Sequence, residues 1–258
     1  MADAAIRVER RGRVFRCTLD RPPLNLFEPG LIAALRSTFV ELAGDATVGV
    51  VVLRGSGRAF TAGMNVNVLR DLDAAGAETL ITTLHDAVDA VHRAPFPVVA
   101  AINGAALGAG FELALACDLR VAARGAILGL PEVRVGVPSV IQAALLAPLI
   151  GPGRAAELLL TGATIGAEQA LEWGLVNRVV EPSGLDAAVQ ELVDPIVASG
   201  PEAIRLQKQL IIRWRESTLT AAMRAGIPAF AAAYATGEPR EGATAFLEKR
   251  APRFEASR

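Results

Sequence analysis

Two glutamates stand where a carboxyl group could do acid and base chemistry. Glu112 sits in the run Phe111 to Ala116, beside Leu113, Ala114 and Leu115, where a carboxylate is costly unless it is partnered or hydrogen-bonded. Glu132 follows an apolar run and Pro131, in a loop. Each has a bland alternative: an acid in a helix's first turn complements the dipole, and a turn glutamate can simply be solvated. Together, at neighbouring strand ends, the two could form an acid/base pair with a water between them. The residues before Glu112 add a second feature. A strand from Val98 to Ile102 stops at Asn103-Gly104, and the chain passes Gly108 and Gly110 into a helix read from Phe111 to Ala116. A helix start with so little side-chain bulk leaves backbone N–H groups open to a negatively charged oxygen. The stretch reads as an anion hole with a carboxylate beside it.

Other chemistries lack their residues. Gly104, Gly108 and Gly110 do not make G-x-G-x-x-G, and no acid follows at the end of the next strand for a ribose, which argues against a dinucleotide site. A Walker lysine, a G-x-S-x-G elbow and an H-E-x-x-H pair are all absent. The two histidines, His85 and His92, share one expected helix and read as surface or packing choices rather than as metal ligands or triad members. Cys17 and Cys117 are isolated, with no neighbouring histidine, so no metal site and no disulfide scaffold is expected, and a reducing compartment is. A formal net charge of -1 offers no whole-molecule attraction to nucleic acid or to an anionic membrane.

The elements that must position the glutamates alternate in type. Ile6 to Glu9 and Val14 to Leu19 read as a hairpin. Leu31, Leu35, Phe39 and Leu42 recur at helical spacing, and Val48 to Leu53 is a buried strand, so the class is α/β. A loop with Gly55, Gly57 and Gly63 leads to a short helix from Asn65 to Leu72 and a longer one from Gly76 to Arg93. Strands follow at Leu119 to Ala122 and Ala126 to Leu130. Three strand ends therefore deliver three loops, Gly57 to Met64, Asn103 to Gly110 and Leu130 to Pro138, which predicts a layered or spiral arrangement. Helical segments from 145 to 174 and a strand from Leu175 to Val180 come next. From Leu185 the pattern is helical to the end, and a boundary near 198 divides an α/β core, 1–197, from a helical tail, 198–258.

The chain is 52% hydrophobic with a mean hydropathy of +0.38, yet no run of about 18 strongly apolar residues occurs, so no membrane span is expected. The apolar excess could instead cover subunit interfaces, and a homo-oligomer is expected. The N-terminal stretch has no apolar segment of the secretory kind, and the expected location is cytoplasmic.

Five ordered stretches resemble the enoyl-CoA hydratase/isomerase family, also called the crotonase family. They are RAFTAGMNV at 58 to 66, INGAALGAGFELALACD at 102 to 118, LPEVRVGVPS at 130 to 139, LLLTGATIGAEQALEWGLVNRVV at 158 to 180, and EGATAFLEKRAPRF at 241 to 254. The resemblance implies a spiral of strand-strand-helix units with a C-terminal helical trimerisation domain, and a homotrimer or a hexamer made as a dimer of trimers. It implies a coenzyme A thioester as substrate, with no metal and no separate cofactor. The thioester oxygen would take hydrogen bonds from the backbone amides of Met64 and Ala109, which stabilise an enolate-like charge. Glu112 and Glu132 match a hydratase's catalytic pair, Glu112 as base toward water and Glu132 as proton donor to the α-carbon of a 2-trans-enoyl-CoA, giving a 3-hydroxyacyl-CoA. Ala62, Gly63, Asn65, Val66 and Gly108 fall in the substrate-binding loops. Arg58 and a neighbouring subunit's Lys249 resemble groups near the coenzyme's phosphates, with a solvated surface charge as the alternative for each. A Δ3,Δ2-enoyl-CoA isomerase, another acyl-CoA lyase and a silent acyl-CoA-binding subunit are the alternatives. Three departures from the family pattern stand out. Ala109 occupies a frequent glycine position, which requires a negative φ; Asn65 replaces a frequent aspartate; and the loop from Pro22 to Asn25 is shorter than in many members.

Overall fold

The computed structural model describes residues 5–254. Its ten strands and eleven α-helices in that range alternate along the first two thirds of the chain and are purely helical after it. A six-stranded sheet has the order β1 (Ile6–Arg11), β2 (Val14–Leu19), β3 (Val50–Gly55), β5 (Val98–Ile102), β7 (Leu119–Ala123) and β10 (Arg178–Val180). Only the β1–β2 hairpin is antiparallel. The middle strands lack alternation because both faces are covered. Val51 and Leu53 of β3, with Val98, Ala100 and Ile102 of β5, face the main core under helices α1 (Pro29–Ala43), α3 (Ala74–His92) and α4 (Ala109–Ala116). Val50, Val52, Val99 and Ala101 face the opposite way, against Leu185, Ala188, Val189 and Val193 of α8 (Leu185–Ala198).

Each of β3, β5 and β7 runs directly into a short strand of a second sheet: β4 (Ala59–Thr61), β6 (Ala105–Leu107) and β8 (Ile127–Gly129). These pair in parallel, Thr61 with Ala106 and Leu107 with Gly129, and β9 (Thr164–Gly166) closes the edge of β8 antiparallel. Because their ends are in register, the chain leaving β4, β6 and β8 emerges on one side at three adjacent points. The result is a spiral of strand-strand-helix units with helices at the C-terminus. Asn25 fastens the first layer: buried, at φ +51, it donates from Nδ2 to the carbonyls of Ser56, Ala59 and Phe60 and accepts from the Arg21 amide.

The structure corrects the sequence reading in three places. The loops expected at Gly57 to Met64 and Asn103 to Gly110 contain β4 and β6, which are too short to carry a periodic signal. The helix expected from Phe111 begins at Ala109, so Glu112 lies at its fourth position. The short helix expected from Asn65 to Leu72 is α2 (Val66–Arg70), with Asn65 as its N-cap. Beyond β8 come a 3₁₀ turn (Pro131–Val135), a second one (Gln142–Leu145), α5 (Leu146–Ile150), α6 (Pro152–Thr161) and α7 (Ala167–Glu172). The tail holds α9 (Pro201–Arg215), α10 (Leu219–Ala233) and α11 (Glu238–Leu247). Arg205 of α9 donates to the carbonyls of Asp45, Ala46 and Val48, tying this helix to the α/β part. The outer ends of the division expected at 198, residues 1–4 and 255–258, lie outside the described residues.

Candidate active site

Three backbone segments meet because their parent strands are paired. The first, after β4, passes Gly63 to Met64; the second, after β6, passes Gly108 into α4; the third, after β8, holds Glu132 in the 3₁₀ turn. Gly63 has φ +86, and a Cβ there would lie 2.6 Å from the Leu107 carbonyl oxygen, so only glycine lets the first two segments approach this closely. Gly108, the N-cap of α4, has φ +55, and a Cβ on it would lie 2.8 Å from Oε1 of Glu132. The second and third segments are thus in contact through the candidate carboxyl itself.

The amide of Gly108 is taken by the Gly129 carbonyl, and those of Phe111 and Glu112 by the carbonyl of Gly108. Ala109 opens the helix, so its amide has no intrahelical partner. The bridge between Phe27 and Met64 is made by Phe27 donating to Gly63 and Asn65 donating to Phe27, which leaves the Met64 amide unused. Among the described residues neither amide meets a protein acceptor. Both residues line one cavity of about 460 Å³ with Glu112 and Glu132. The φ of Ala109 is not positive, so alanine is tolerated there.

Glu112 is 2% exposed. Its Oε1 accepts hydrogen bonds from the amides of Ile141, at 3.0 Å, and Ala143, at 2.9 Å, at the start of the second 3₁₀ turn. Among the described residues Oε2 has no protein donor. Burial pushes this carboxyl up to about 7, with the nearby Glu132 charge acting the same way and the two amides opposing. Glu132 is half-buried, and its Oε2 accepts a hydrogen bond of 2.8 Å from the Ser139 hydroxyl. Burial raises its proton affinity too, and the Ser139 bond lowers it. Burial thus biases both carboxyls toward holding a proton, Glu112 more than Glu132.

The structure brings together Glu112, Glu132, Ala62, Gly63, Met64, Val66, Gly108 and Ala109, all on the cavity wall. Asn65, Arg58 and Lys249 do not line it. Asn65 instead caps α2, accepting from the Asn67 amide while its Nδ2 donates to Glu28, a bond an aspartate could not make. Arg58 is exposed in the β3–β4 turn, and Lys249 is exposed just past α11 at φ +55. Sequence reasoning missed Ser139 and the amides of Ile141 and Ala143. Backbone donors carry no sequence signal, and Ser139 became informative only once its loop was seen to fold back on Glu132. It also missed the cavity's apolar wall, formed by Leu69 and Leu72 with Leu80, Ile81 and Leu84 of α3. Both histidines stand apart from the cavity lining.

A family model described as enoyl-CoA hydratase/isomerase matches residues 9–257. The chain belongs to the enoyl-CoA hydratase/isomerase family. Among its relatives, the short-chain-enoyl-CoA hydratase of Clostridium acetobutylicum is 33% identical, over 94% of both chains. The crotonyl-CoA hydratase of Syntrophomonas wolfei is 34% identical, over 98% of this chain and 99% of the other. The crystal structure of an enoyl-CoA hydratase from Bacillus anthracis superposes with a TM-score of 0.94 at 33% identity, covering 98% of this chain and 100% of that one. The family fold is therefore present along nearly the whole chain. In this family member the cavity can bind a negatively charged oxygen at two convergent amides and move protons through two carboxyls beside it.

Proposed function

We propose that this family member is an enoyl-CoA hydratase that adds water to a 2-trans-enoyl-CoA to give a 3-hydroxyacyl-CoA. The observation that carries this reading is the convergence of two uncommitted amides and two proton-holding carboxyls on one apolar cavity. The amides of Met64 and Ala109 donate to the thioester oxygen and stabilise the charge that builds there as the double bond is attacked. Glu112 takes a proton from water through Oε2 as the hydroxide adds to the β-carbon, and Glu132 gives its proton to the α-carbon. Over one turnover Glu132 loses a proton to substrate and Glu112 gains one from water, and return of a proton from Glu112 to Glu132 resets the site. Burial raises the proton affinity of Glu112 further than that of Glu132, which makes Glu112 the stronger base toward water and Glu132 the readier proton donor. The cavity's leucine and isoleucine wall suits a hydrocarbon acyl chain. Coenzyme A enters only as part of the substrate.

The exposed side chains of Leu219, Met223, Ile227 and Phe230 on α10 and of Tyr234 at its C-cap form one stripe, and Phe246 and Leu247 are exposed on α11. So much large apolar surface supports a homotrimer or hexamer assembled through residues 198–258, with 1–197 carrying the site. Assembly would also bring Lys249 to a neighbour's coenzyme phosphates, with Arg58 on the same chain. Two free, buried cysteines suit a reducing cytoplasm, and among the described residues no helix is long and apolar enough to cross a membrane.

Hydration of crotonyl-CoA, followed as loss of the enoyl-thioester absorbance, tests the reaction. Glu112→Gln and Glu132→Gln are each expected to lower kcat by about 10²–10⁴-fold with thioester binding retained. Wild-type turnover in either variant sinks the mechanism. Double-bond migration in a 3-enoyl-CoA without hydration identifies an isomerase, and tight acyl-CoA binding without turnover identifies a silent subunit.

A further inference from the structure

We propose that Ser139 is a positioning residue for Glu132: its hydroxyl holds one carboxyl oxygen, Oε2, so that the other, Oε1, is the one that exchanges a proton with substrate. The inference rests on the reading of Glu132 as one of the proton-transferring pair. Its basis is geometric. The Ser139 Oγ donates to Oε2 at 2.8 Å, and Oε1 lies over Gly108, 2.8 Å from where a Cβ on that residue would sit, one residue before the Ala109 amide. An oxyanion held at that amide puts the adjoining α-carbon on the Oε1 side of the carboxyl. A donor on Oε2 leaves Oε1 as the oxygen open to carry the proton.

The loop that supplies the hydroxyl also lines the cavity with Val135, Val137, Pro138 and Val140. From Val133 to Val140 every residue is exposed except Ser139. Its side chain lines the cavity, and Glu132 is its hydrogen-bond partner. A hydrogen bond to a carboxylate is stronger than one to the neutral acid, so this bond strengthens as Glu132 releases its proton and stabilises the product of that step. The other ionisable groups on the cavity wall are Glu112 from α4, Glu78 from α3 and Arg134 on Glu132's own turn, whose Nε is bound to the Thr161 carbonyl. Among the described residues Ser139 is the one side chain that donates a hydrogen bond to the Glu132 carboxyl.

The test compares Ser139→Ala and Ser139→Thr in the full-length enzyme. Ser139→Ala is expected to lower kcat about tenfold, the loss of one hydrogen bond to a charged group, with KM changed less than about twofold. The limb of the pH–rate profile governed by the pair moves to higher pH, because the carboxylate has lost its donor. Ser139→Thr, which keeps the hydroxyl, restores both. An infrared titration of the carboxylate bands without substrate reads the same upward shift in Ser139→Ala. It tests Ser139 even in a chain that hydrates no enoyl thioester, an outcome that removes the hydratase reading alone. An unchanged carboxyl titration in Ser139→Ala, or a threonine variant that behaves like the alanine one, overturns the proposal.

Discussion

The two ends of helix α4 are built to opposite specifications. At its C-terminal end every polar group in view is answered. Arg120 is buried and donates to the carbonyls of Ala114, Cys117 and Leu175, while Nδ1 of His92 lies 3.3 Å from the Ala116 carbonyl. A carbonyl only accepts, so that nitrogen carries the proton, and burial, helped by the charge on Lys208, lowers the ring's basicity and keeps it neutral. Asp118 just beyond accepts from the Val98 amide at 2.8 Å and from Lys208, 3% exposed, at 2.6 Å. Cations around the last turn also complement the helix dipole. At the N-terminal end Gly108 contributes no side-chain cap, the Ala109 amide is unused and Glu112 is a buried acid. The lesson is a division of labour along less than three turns of helix: one end is saturated and anchored, so that the other can be held in place while unsatisfied.

If that contrast is right, damage at the anchored end is read in stability and damage at the open end in turnover. The largest effect is expected for Lys208→Met, which strands the Asp118 carboxylate in a mostly buried setting. It should lose about 3–5 kcal/mol in urea unfolding while the kcat of the folded fraction stays within about threefold. A large loss of kcat in the folded fraction would mean that the two ends are not separable. Gly108→Ala reverses the pattern. Backbone at φ +55 and ψ -131, where side chains are rarely tolerated, costs alanine about 1–3 kcal/mol, but the new methyl group displaces Oε1 of Glu132, and kcat is expected to fall about 100-fold.

The smallest effect concerns the pH dependence of stability. Glu112 has its proton affinity raised in the folded state, to about 7 from 4.5, so the native protein binds the proton more tightly than the unfolded chain. The stability linked to that proton is complete below pH 4.5 and is lost as pH rises toward and through 7. Glutamine at 112 can still accept from Ile141 and Ala143, and it never ionises. Glu112→Gln should therefore match the wild type at acid pH and gain on it up to about pH 7, keeping an advantage of about 1–2 kcal/mol at pH 8. Thermal melts at pH 4.5, 6 and 8 check this. A constant gap at every pH would show that folding does not raise the proton affinity of Glu112.

Much of the contrast is legible along the chain, but unevenly. Phe111 to Ala116 declares a buried helix with an acid near its start, and Val98 to Ile102 declares a strand covered on both faces, because both signals are contained in short runs. Gly108 and Gly63 are readable as turns, though not as the contact points they are. The three-residue strands β4 and β6 leave no trace, since their identity lies in pairing with each other and not in any pattern of their own. Ser139 looks like any loop serine.

The sequence by itself determined the α/β class, the order of the elements, the helical tail, the two glutamates and the glycines that free the loops. These follow from local backbone preference and from runs of apolar residues. Only the tertiary structure decided that Glu112 shares its charge with amides at Ile141 and Ala143, that Glu132 turns one oxygen to Ser139, and that Lys208 reaches back to Asp118. The physical reason is that proton affinity and anchoring depend on burial and on donors brought in from distant parts of the chain. Parallel pairing of β4, β6 and β8, a long-range choice of register, is what brings the segments carrying Met64, Gly108 and Glu132 side by side.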